Sequence, residues 1–442
     1  MTASSEFKKY FSVNSLKKLF KEEIRYKSAR GIDHVSTRKF EEKLPENIEI
    51  IHRKVHNGTY QFSNYREKLL SRGSERPPRV ISIPTIRDKL VQKALAKILK
   101  SSFCAEMPLL HAIINEVIST YQSNLYDSIL RLDVENFYPT IVHNDLFKEL
   151  RKKIRKKEIL YLIDNAISRK TVSQPYRNDR KINALGVPQG LSISNILANI
   201  YLSPIDAKYS SKLKMKYFRY VDDILIFCNE EQIETIHNEL VNDCTNLGLV
   251  LHKIKDKSSK STSGKLIEGF GYLGYEFKSG KVTVRKKSVD KIRDSIIKLL
   301  TNYKYSKTKN IEFIKWALNI RITGCIFKKS KYGWLFFFSQ IDDLSLLGAL
   351  DHFIQEQLKR FDITGVKPKK FLRTYHEITR NLSKTTYIPN FDEFSTSEKK
   401  GILIDVFQVK NPPTNAYEIE YQFNKRIYKM VTELERDLSG TS

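Results

Sequence analysis

The stretch Phe218-Arg-Tyr-Val-Asp-Asp-Ile-Leu-Ile-Phe227 sets two adjacent carboxylates, Asp222 and Asp223, between apolar and aromatic runs. Residue type and spacing predict two short β-strands joined by a turn that contains both acids. Such a turn would hold the carboxylates at the rim of a sheet, within reach of solvent and of a metal ion. An isolated Asp-Asp pair is more often an ordinary hairpin turn, so its interpretation depends on the other acids of the chain.

A third acid, Asp133, ends another strand-like run, Ser128–Asp133. Two such strands side by side would bring three carboxylates together, and these would repel one another unless a hard cation neutralised them. Mg²⁺ prefers a few carboxylates plus substrate phosphates. The pattern therefore predicts a site for two metal ions roughly 3.5–4 Å apart that catalyses phosphoryl transfer.

Three motifs, in order along the chain, resemble those of reverse transcriptases. Asp133–Tyr138 resembles the first palm motif, and Gly186–Gly190 followed by Leu191–Ser194 resembles the template-and-nucleotide motif. Tyr220–Asp223 resembles the Tyr-x-Asp-Asp box. The match extends from about Gly31 to Phe277. The resemblance implies an α+β right-hand polymerase, with fingers and palm built from an antiparallel sheet plus helices and an α-helical thumb and C-terminal region. The expected domains are 1–108 (N-terminal extension and fingers), 109–280 (palm, part of the fingers and primer-grip hairpin) and 281–442 (thumb and C-terminal region).

Charge and composition favour a nucleic-acid partner. The 442 residues include 77 Lys plus Arg against 50 Asp plus Glu, a net charge of +27. Such an excess points to a polyanion, either nucleic acid or an anionic membrane face. No apolar run approaches the roughly 20 residues of a membrane span, and the N-terminus does not resemble a signal peptide. The four cysteines lack paired spacing, which disfavours a disulfide framework or a zinc site and fits the cytoplasm.

The resemblance assigns catalytic and metal-binding roles. Mg²⁺, with Mn²⁺ as the alternative ion, would be bound by four residues: Asp133, Val134 through its carbonyl, Asp222 and Asp223. Among these, Asp223 is expected to support the site more than to bridge the metals. Lys255 is the candidate general acid for pyrophosphate, although the chain has His252–Asp256 where many family members have Asn-x-x-Lys-Thr. An ordinary solvated lysine is the alternative interpretation of Lys255.

Further residues are expected to contact nucleotide, template or primer. The nucleotide-binding candidates are Arg79 and Arg87 for the triphosphate, Tyr138 to exclude a ribose 2′-hydroxyl, and Gln189 beside the base pair. The template- and primer-binding candidates are Gly186, Pro188 and Gly190, and Tyr272, Leu273 and Gly274 in a primer-grip hairpin. For Tyr138, and more strongly for Phe137, the alternative is an aromatic of the palm core.

The function implied is RNA-directed DNA synthesis from deoxynucleotides. The sequence most resembles free-standing defence-associated reverse transcriptases of the abortive-infection type, with retron reverse transcriptases as an alternative. Template-independent or protein-primed synthesis and a non-enzymatic RNA-binding scaffold stay open, as does homo-oligomerisation. The expected partners are a structured non-coding RNA and the RNA–DNA product duplex. Lys367–Lys370 are candidates for phosphate contacts, and Tyr332, Trp334 and Tyr375 are candidates for base stacking, with thumb core as their alternative.

Overall fold

The structure, a computed structural model, describes residues 2–26, 29–71, 77–103, 110–173, 183–254 and 260–438. Its helices are α1 (Ala3–Tyr10), α2 (Val13–Leu19, continued by a π-helical turn at Phe20–Ile24), α3 (Thr37–Glu42), α4 (Leu44–His56), α5 (Ile86–Phe103), α6 (Leu110–Gln122), α7 (Phe137–Thr140), α8 (His143–Arg151), α9 (Lys157–Ser168), α10 (Ser194–Ser210), α11 (Ile233–Asn246), α12 (Lys286–Lys304), α13 (Ile311–Thr323), α14 (Trp334–Phe337), α15 (Leu344–Arg360), α16 (Phe371–Arg380), α17 (Thr396–Asp405) and α18 (Ala416–Leu438).

The strands are short and lie in mainly antiparallel sheets. They are β1 (Tyr65–Leu70), β2 (Arg79–Ile83), β3 (Ser128–Asp133), β4 (Thr171–Val172), β5 (Lys216–Tyr220), β6 (Asp223–Cys228), β7 (Thr262–Lys265), β8 (Phe270–Tyr272), β9 (Tyr275–Lys278), β10 (Lys281–Val284), β11 (Cys325–Phe327) and β12 (Ser330–Tyr332). The sheet orders are β5-β6-β3-β7, β2-β1-β4 and β10-β9-β8, and β11 pairs with β12.

The chain divides into two compact units. The first contains residues 1–110 and 125–264, and the second contains residues 111–124 and 265–442. The predicted α+β class, antiparallel sheets with helices followed by an α-helical C-terminal region, is confirmed. The boundaries between the three predicted domains stay a prediction. None of the helices in the described ranges combines the length and apolar composition that a membrane crossing requires.

The centre of the first unit is the sheet β5-β6-β3-β7. Every residue of β6 is buried, and so are the first five residues of β3. Such continuous apolar runs fit strands that are covered on both faces. The antiparallel register sets Asp133 directly opposite Asp223. The sequence prediction that these two strands lie side by side is therefore confirmed.

Helix α10 extends further than its proline predicted. The sequence pattern predicts a helical element from Ser192 to Tyr201 that Pro204 closes, yet α10 continues to Ser210 with Pro204 in its interior. Proline removes the hydrogen bond to the carbonyl four residues earlier, here that of Ile200. The Ser203 hydroxyl donates to this carbonyl at 2.7 Å. This replacement bond explains how the helix continues past the proline.

The second unit is mostly helical, and ionic and capping contacts order it. The buried Arg321 of α13 donates to the Ser295 hydroxyl at 2.7 Å and lies 3.5 Å from the Glu433 carboxylate, which links α12, α13 and α18. The Asp343 carboxylate accepts from the Leu346 N–H and caps α15, the role that its place directly before the helical run at Leu344 predicts.

Two of the sequence candidates for RNA contact are structural residues of this unit. Trp334 is 1% exposed, which confirms the core alternative for its side chain. The Lys369 ammonium donates to the Tyr387 carbonyl, and burial lowers the pKa of this lysine. The indole of Trp334 is therefore not available for base stacking, and the Lys369 ammonium is engaged within the unit.

Candidate active site

The hairpin between β5 and β6 presents Asp222 at its turn. Tyr220 pairs with Asp223, so Val221 and Asp222 alone form the turn, and Asp223 is already the first residue of β6. This corrects the expectation that both acids lie in the turn. Val221 has a φ of 59°, a left-handed conformation that costs a β-branched residue roughly 1–2 kcal/mol.

Arg219 holds this turn in place. Its guanidinium donates to the Val221 carbonyl at 2.7 Å and pairs with the Asp206 carboxylate of α10, with Nε 2.7 Å from Oδ1. The strained turn is thus anchored to the long helix α10 at the residue directly before Asp222.

Asp133 lies beside two nitrogen-bearing side chains. Its Oδ2 accepts a hydrogen bond from the Lys260 ammonium and lies 3.3 Å from Nε2 of His252. The other ring nitrogen of His252 lies 3.1 Å from the Glu135 carboxylate. The His252 backbone N–H also donates to the Asp133 carbonyl at 2.9 Å, so this histidine is held on the chain segment that it neighbours.

Asp222 carries the electrostatic signature of an acidic site. Burial, and then the nearby Asp133 carboxylate, raise the pKa of Asp222 to about 6, while Lys260 acts in the opposite direction. Two carboxylates that disfavour each other's charge are stabilised by a cation between them. Carboxylate oxygens, with the carbonyl of Val134 next to Asp133, are the hard donors that Mg²⁺ prefers. The donor set of Asp133, Val134 and Asp222 therefore fits this ion.

Asp223 is turned to a different partner. Its two oxygens accept from Nε and Nη2 of Arg131 at 2.9 and 2.8 Å, and its side chain is 2% exposed. Within the described ranges, no three His, Cys, Asp or Glu side chains form a metal-binding group. Direct metal binding by Asp223 therefore stays a prediction, and its contacts with Arg131 fit the supporting role expected of it from the sequence.

A cavity of about 880 Å³ opens beside Asp222. Among its lining residues are predicted site residues and additional basic ones: Arg79, Val134, Tyr138, Gly186, Pro188, Gln189, Asp222, Lys170, His252 and Lys260. Ligand cavities are about 300–1,000 Å³, so this volume suits a nucleotide.

Tyr138 forms part of the cavity wall, whereas Phe137 belongs to the core. The Tyr138 hydroxyl donates to Oδ1 of Asn195 at 2.8 Å. Burial, and then the Asp222 carboxylate, raise the pKa of the Tyr138 phenol, so the ring is neutral at any working pH. Phe137 is 2% exposed, which confirms the core interpretation of its side chain.

The glycine-bearing loop is fixed between α7 and β2. The Gly186 N–H donates to the Ile141 carbonyl at 2.9 Å, and the Ser82 N–H donates to the Gln189 carbonyl at 2.7 Å. Gly186 has a φ of 83°, and a Cβ there would lie 2.7 Å from the Pro139 carbonyl oxygen. The close approach explains why glycine is needed at this point of the cavity wall.

The remaining predicted residues lie elsewhere. Arg87 donates to Oδ1 of Asn47 at 2.6 Å and lines a separate cavity of about 550 Å³. Lys255 lies outside the described residues. Tyr272, Leu273 and Gly274 belong to the second unit, where the last two form the two-residue turn of the β8–β9 hairpin. Their φ values of 48° and 84° suit such a turn.

Sequence reasoning missed Arg131, His252 as an Asp133 neighbour, and Lys260. Arg131 had a usable signal, since a charged residue in the apolar strand Ser128–Asp133 requires a partner when buried. Lys260 had none, because it is one cation in a lysine- and serine-rich stretch. Its role depends on the fold that brings it to Asp133.

Comparison with known proteins agrees with this geometry. Residues 72–277 match the family described as reverse transcriptase (RNA-dependent DNA polymerase). The chain is 26% identical over 290 residues to the retron Ec83 reverse transcriptase of Escherichia coli, covering 58% of this chain and 83% of that protein. It is 22% identical over 347 residues to protein YkfC of Escherichia coli strain K12, covering 66% and 85%.

More distant similarities extend to longer proteins. The group II intron-encoded protein LtrA of Lactococcus lactis subsp. cremoris is 24% identical over 240 residues, which cover 50% of this chain and 36% of that protein. A solved telomerase from Candida albicans, in complex with a fragment of telomeric RNA, aligns with a TM-score of 0.42 and 14% identity, covering 86% of this chain and 66% of that one. From the family match over residues 72–277 and the relative named a reverse transcriptase, we conclude that these residues form a reverse transcriptase domain and that the chain is an RNA-directed DNA polymerase.

Proposed function

We propose that this enzyme adds deoxynucleotides to a primer 3′-hydroxyl at the cavity beside Asp222, using two Mg²⁺ ions held by Asp133, Asp222 and the Val134 carbonyl. The observation that carries this proposal is the approach of Asp133 and Asp222 at one end of a buried strand pair, where Asp222 and Val134 line a nucleotide-sized cavity. When bound, the ions would lower the pKa of the primer hydroxyl and neutralise charge on the triphosphate.

The chain's own residues would order the substrates. Arg79 and Lys260 line the cavity as cations, and both suit the charge of a triphosphate or its pyrophosphate product. Lys260 also pairs with Asp133, so it partly offsets the acidic charge of the site. We propose Lys260 for the role of general acid toward pyrophosphate that the resemblance gave to Lys255, a residue outside the described ranges.

Tyr138 would set sugar selection. Its hydroxyl is engaged with Asn195, which fixes the ring against the cavity. A rigid ring under the sugar obstructs a 2′-hydroxyl and leaves a deoxyribose unhindered. Residues Gly186 to Gln189 of the fixed loop line the same cavity and would hold the base pair through shape, since glycine allows close backbone approach.

The template is proposed to be a structured RNA partner. The net charge of +27 supports a polyanionic partner, and similarity to the retron and group II intron proteins supports one made of RNA. The resemblance to free-standing defence-associated enzymes extends the proposal to antiphage defence. Retron-type and untemplated or protein-primed synthesis are the alternatives that the experiment must separate.

Primer extension with product sequencing tests the proposal. The purified chain receives a DNA primer annealed to an RNA of known sequence, Mg²⁺ and all four deoxynucleotides, and parallel reactions omit the RNA or replace it with DNA. The proposal expects products that are complementary to the RNA and that require it. Homopolymeric or random products made without RNA would replace it with the untemplated alternative, and DNA attached to the protein would indicate protein priming.

A further inference from the structure

The connection between α8 and α9 carries an unusual concentration of positive charge. Residues 151–157 read Arg-Lys-Lys-Ile-Arg-Lys-Lys, so six of seven side chains are cationic. The backbone is ordered by local hydrogen bonds, among them the Ile154 N–H to the Leu150 carbonyl at 2.9 Å. We call residues 151–157 the basic turn.

Two residues anchor the basic turn to the first unit. Ile154 is fully buried in the core cluster. The Lys156 ammonium lies 4.7 Å from the centre of the Phe7 ring and 3.0 Å from the Glu158 carboxylate. Because both inward-facing side chains are fixed, the remaining cations project from a defined surface.

The outward-facing cations are poorly neutralised. Lys152 pairs with Glu149 at 2.7 Å, and the Arg151 guanidinium lies over the Phe147 ring. Lys153, Arg155 and Lys157 are exposed and make no ion pair with any part of the chain that the structure describes. Like charges held this close repel one another, and a bound polyanion would relieve that repulsion.

The position of the basic turn relates it to the nucleotide cavity. Helix α8 begins at His143, whose Nε2 lies 2.7 Å from the Gly186 carbonyl in the cavity wall. It ends at Arg151 after nine residues, which at 1.5 Å per residue is about 14 Å along the helix axis. A nucleic-acid strand at the Gly186 loop could therefore reach the basic turn within a few nucleotides.

We propose that the basic turn is a docking surface for the phosphate backbone of the RNA template outside the catalytic cavity, an inference that rests on the proposed function. Lys153, Arg155 and Lys157 would each contact a phosphate without reading sequence, since backbone contacts position a strand and carry no base information. The C-terminal lysine cluster fits this role less well, because the Lys369 side chain is committed to Tyr387.

The salt dependence of RNA binding tests the surface. The probe is a hairpin RNA with a DNA primer annealed to its 3′ end, bound by the full chain over a range of salt concentrations. The triple variant Lys153→Ala, Arg155→Ala and Lys157→Ala should make the negative slope of log K against log salt shallower by about 2–3, since each phosphate contact contributes about 0.7–0.9 to its magnitude. The charge-matched control removes three other exposed cations of the same unit: Lys18→Ala, Lys100→Ala and Lys214→Ala.

The outcomes separate the surface from the polymerase proposal. An unchanged slope of log K against log salt in the triple variant, or an equal change of slope in the control, would overturn the proposed docking surface even if the parent copies RNA. A shallower slope in the triple variant alone supports the docking surface. It would do so even if the parent made no templated DNA, because the absence of templated synthesis would overturn only the proposed function. Binding to phosphatidylserine vesicles that depends on the same three residues, with no change in the RNA slope, would assign the surface to membranes instead.

Discussion

The buried pair between Arg131 and Asp223 gives a quantitative prediction about how the site is supported. Both carboxylate oxygens accept from one guanidinium at 2.9 and 2.8 Å, and the exposed fractions of the two side chains are 9% and 2%. Arg131→Met removes the guanidinium that binds both oxygens of Asp223 and leaves a carboxylate in the core without that countercharge. Breaking a buried pair in this way costs about 3–5 kcal/mol.

The expected loss of stability can be measured as a fall in the melting temperature or as faster hydrogen exchange near the pair. For a unit of this size, about 3–5 kcal/mol corresponds to a melting temperature lower by roughly 6–20 °C. Both tryptophans, Trp316 and Trp334, lie in the second unit, so their fluorescence would not report on the sheet. Hydrogen exchange of the β3 and β6 amides reports the free energy of opening where the pair lies.

A second substitution separates charge from packing. Adding Asp223→Asn to Arg131→Met removes the uncompensated charge and should recover most of the lost stability. Arg155→Met, the same change at an exposed site, should alter the free energy of unfolding by less than about 0.5 kcal/mol. A loss below about 1 kcal/mol in Arg131→Met, or no recovery in the double variant, would refute the assignment of this pair as the support of the site.

Three further predictions concern selection, charge and pH. Tyr138→Ala should admit ribonucleotides with little effect on deoxynucleotide use, whereas Tyr138→Phe keeps the ring and should keep the discrimination between the two sugars. Competition between dNTP and rNTP in primer extension measures both effects. Unchanged discrimination in the alanine variant would show that another residue selects the sugar. Lys260→Gln should raise the KM for deoxynucleotides about tenfold or more, through loss of a cation in the cavity, and an unchanged KM would remove Lys260 from the triphosphate site. Burial raises the pKa of the Asp88 carboxyl to about 6, although the hydrogen bonds from Tyr60 and Thr85 act in the opposite direction. The folded state therefore binds the carboxyl proton more tightly than the unfolded state does. The free energy of unfolding should fall by about 3 kcal/mol as the pH rises from about 4 to 6. Urea unfolding of the parent and of Asp88→Asn from about pH 4 to 6 tests this direction. The substitution should remove the part of the pH dependence that Asp88 contributes. The same change in the free energy of unfolding with pH in both proteins would contradict the assignment to Asp88.

The strand pair of the site could be predicted from the sequence because Asp133 and Asp222 each stand at the end of a short apolar run whose residue types favour β-strands. Asp133 and Asp222 were identified from β-strand patterning plus the resemblance, and the register confirms that β3 and β6 are neighbours. Several helices were also anticipated. Apolar positions at helical spacing from Ile86 to Leu99 predict a helix, which the structure contains as α5, and the place of Asp343 before an apolar run predicts the cap of α15.

The features that escaped prediction depend on tertiary contacts. Whether a carboxylate at a strand end meets a metal or a guanidinium depends on which side chain lies across from it, and sequence spacing did not reveal Arg131 as the partner of Asp223. Lys260 reaches Asp133 from a distance of 127 residues along the chain. Pro204 is accommodated by a single hydroxyl, a local rescue that propensity rules do not include.

The most direct test of the account is the rate at which one templated deoxynucleotide is added to an RNA-annealed primer in Mg²⁺. Asp222→Asn should lower this rate about a thousandfold, since losing one charged metal ligand removes several kcal/mol of transition-state stabilisation. Its free energy of unfolding without metal should hold or rise, because the substitution relieves the burial and repulsion that raise the pKa of Asp222. Glu231→Gln, an exposed acid after β6, should leave the rate unchanged. A rate for folded Asp222→Asn within about tenfold of the parent would contradict the account.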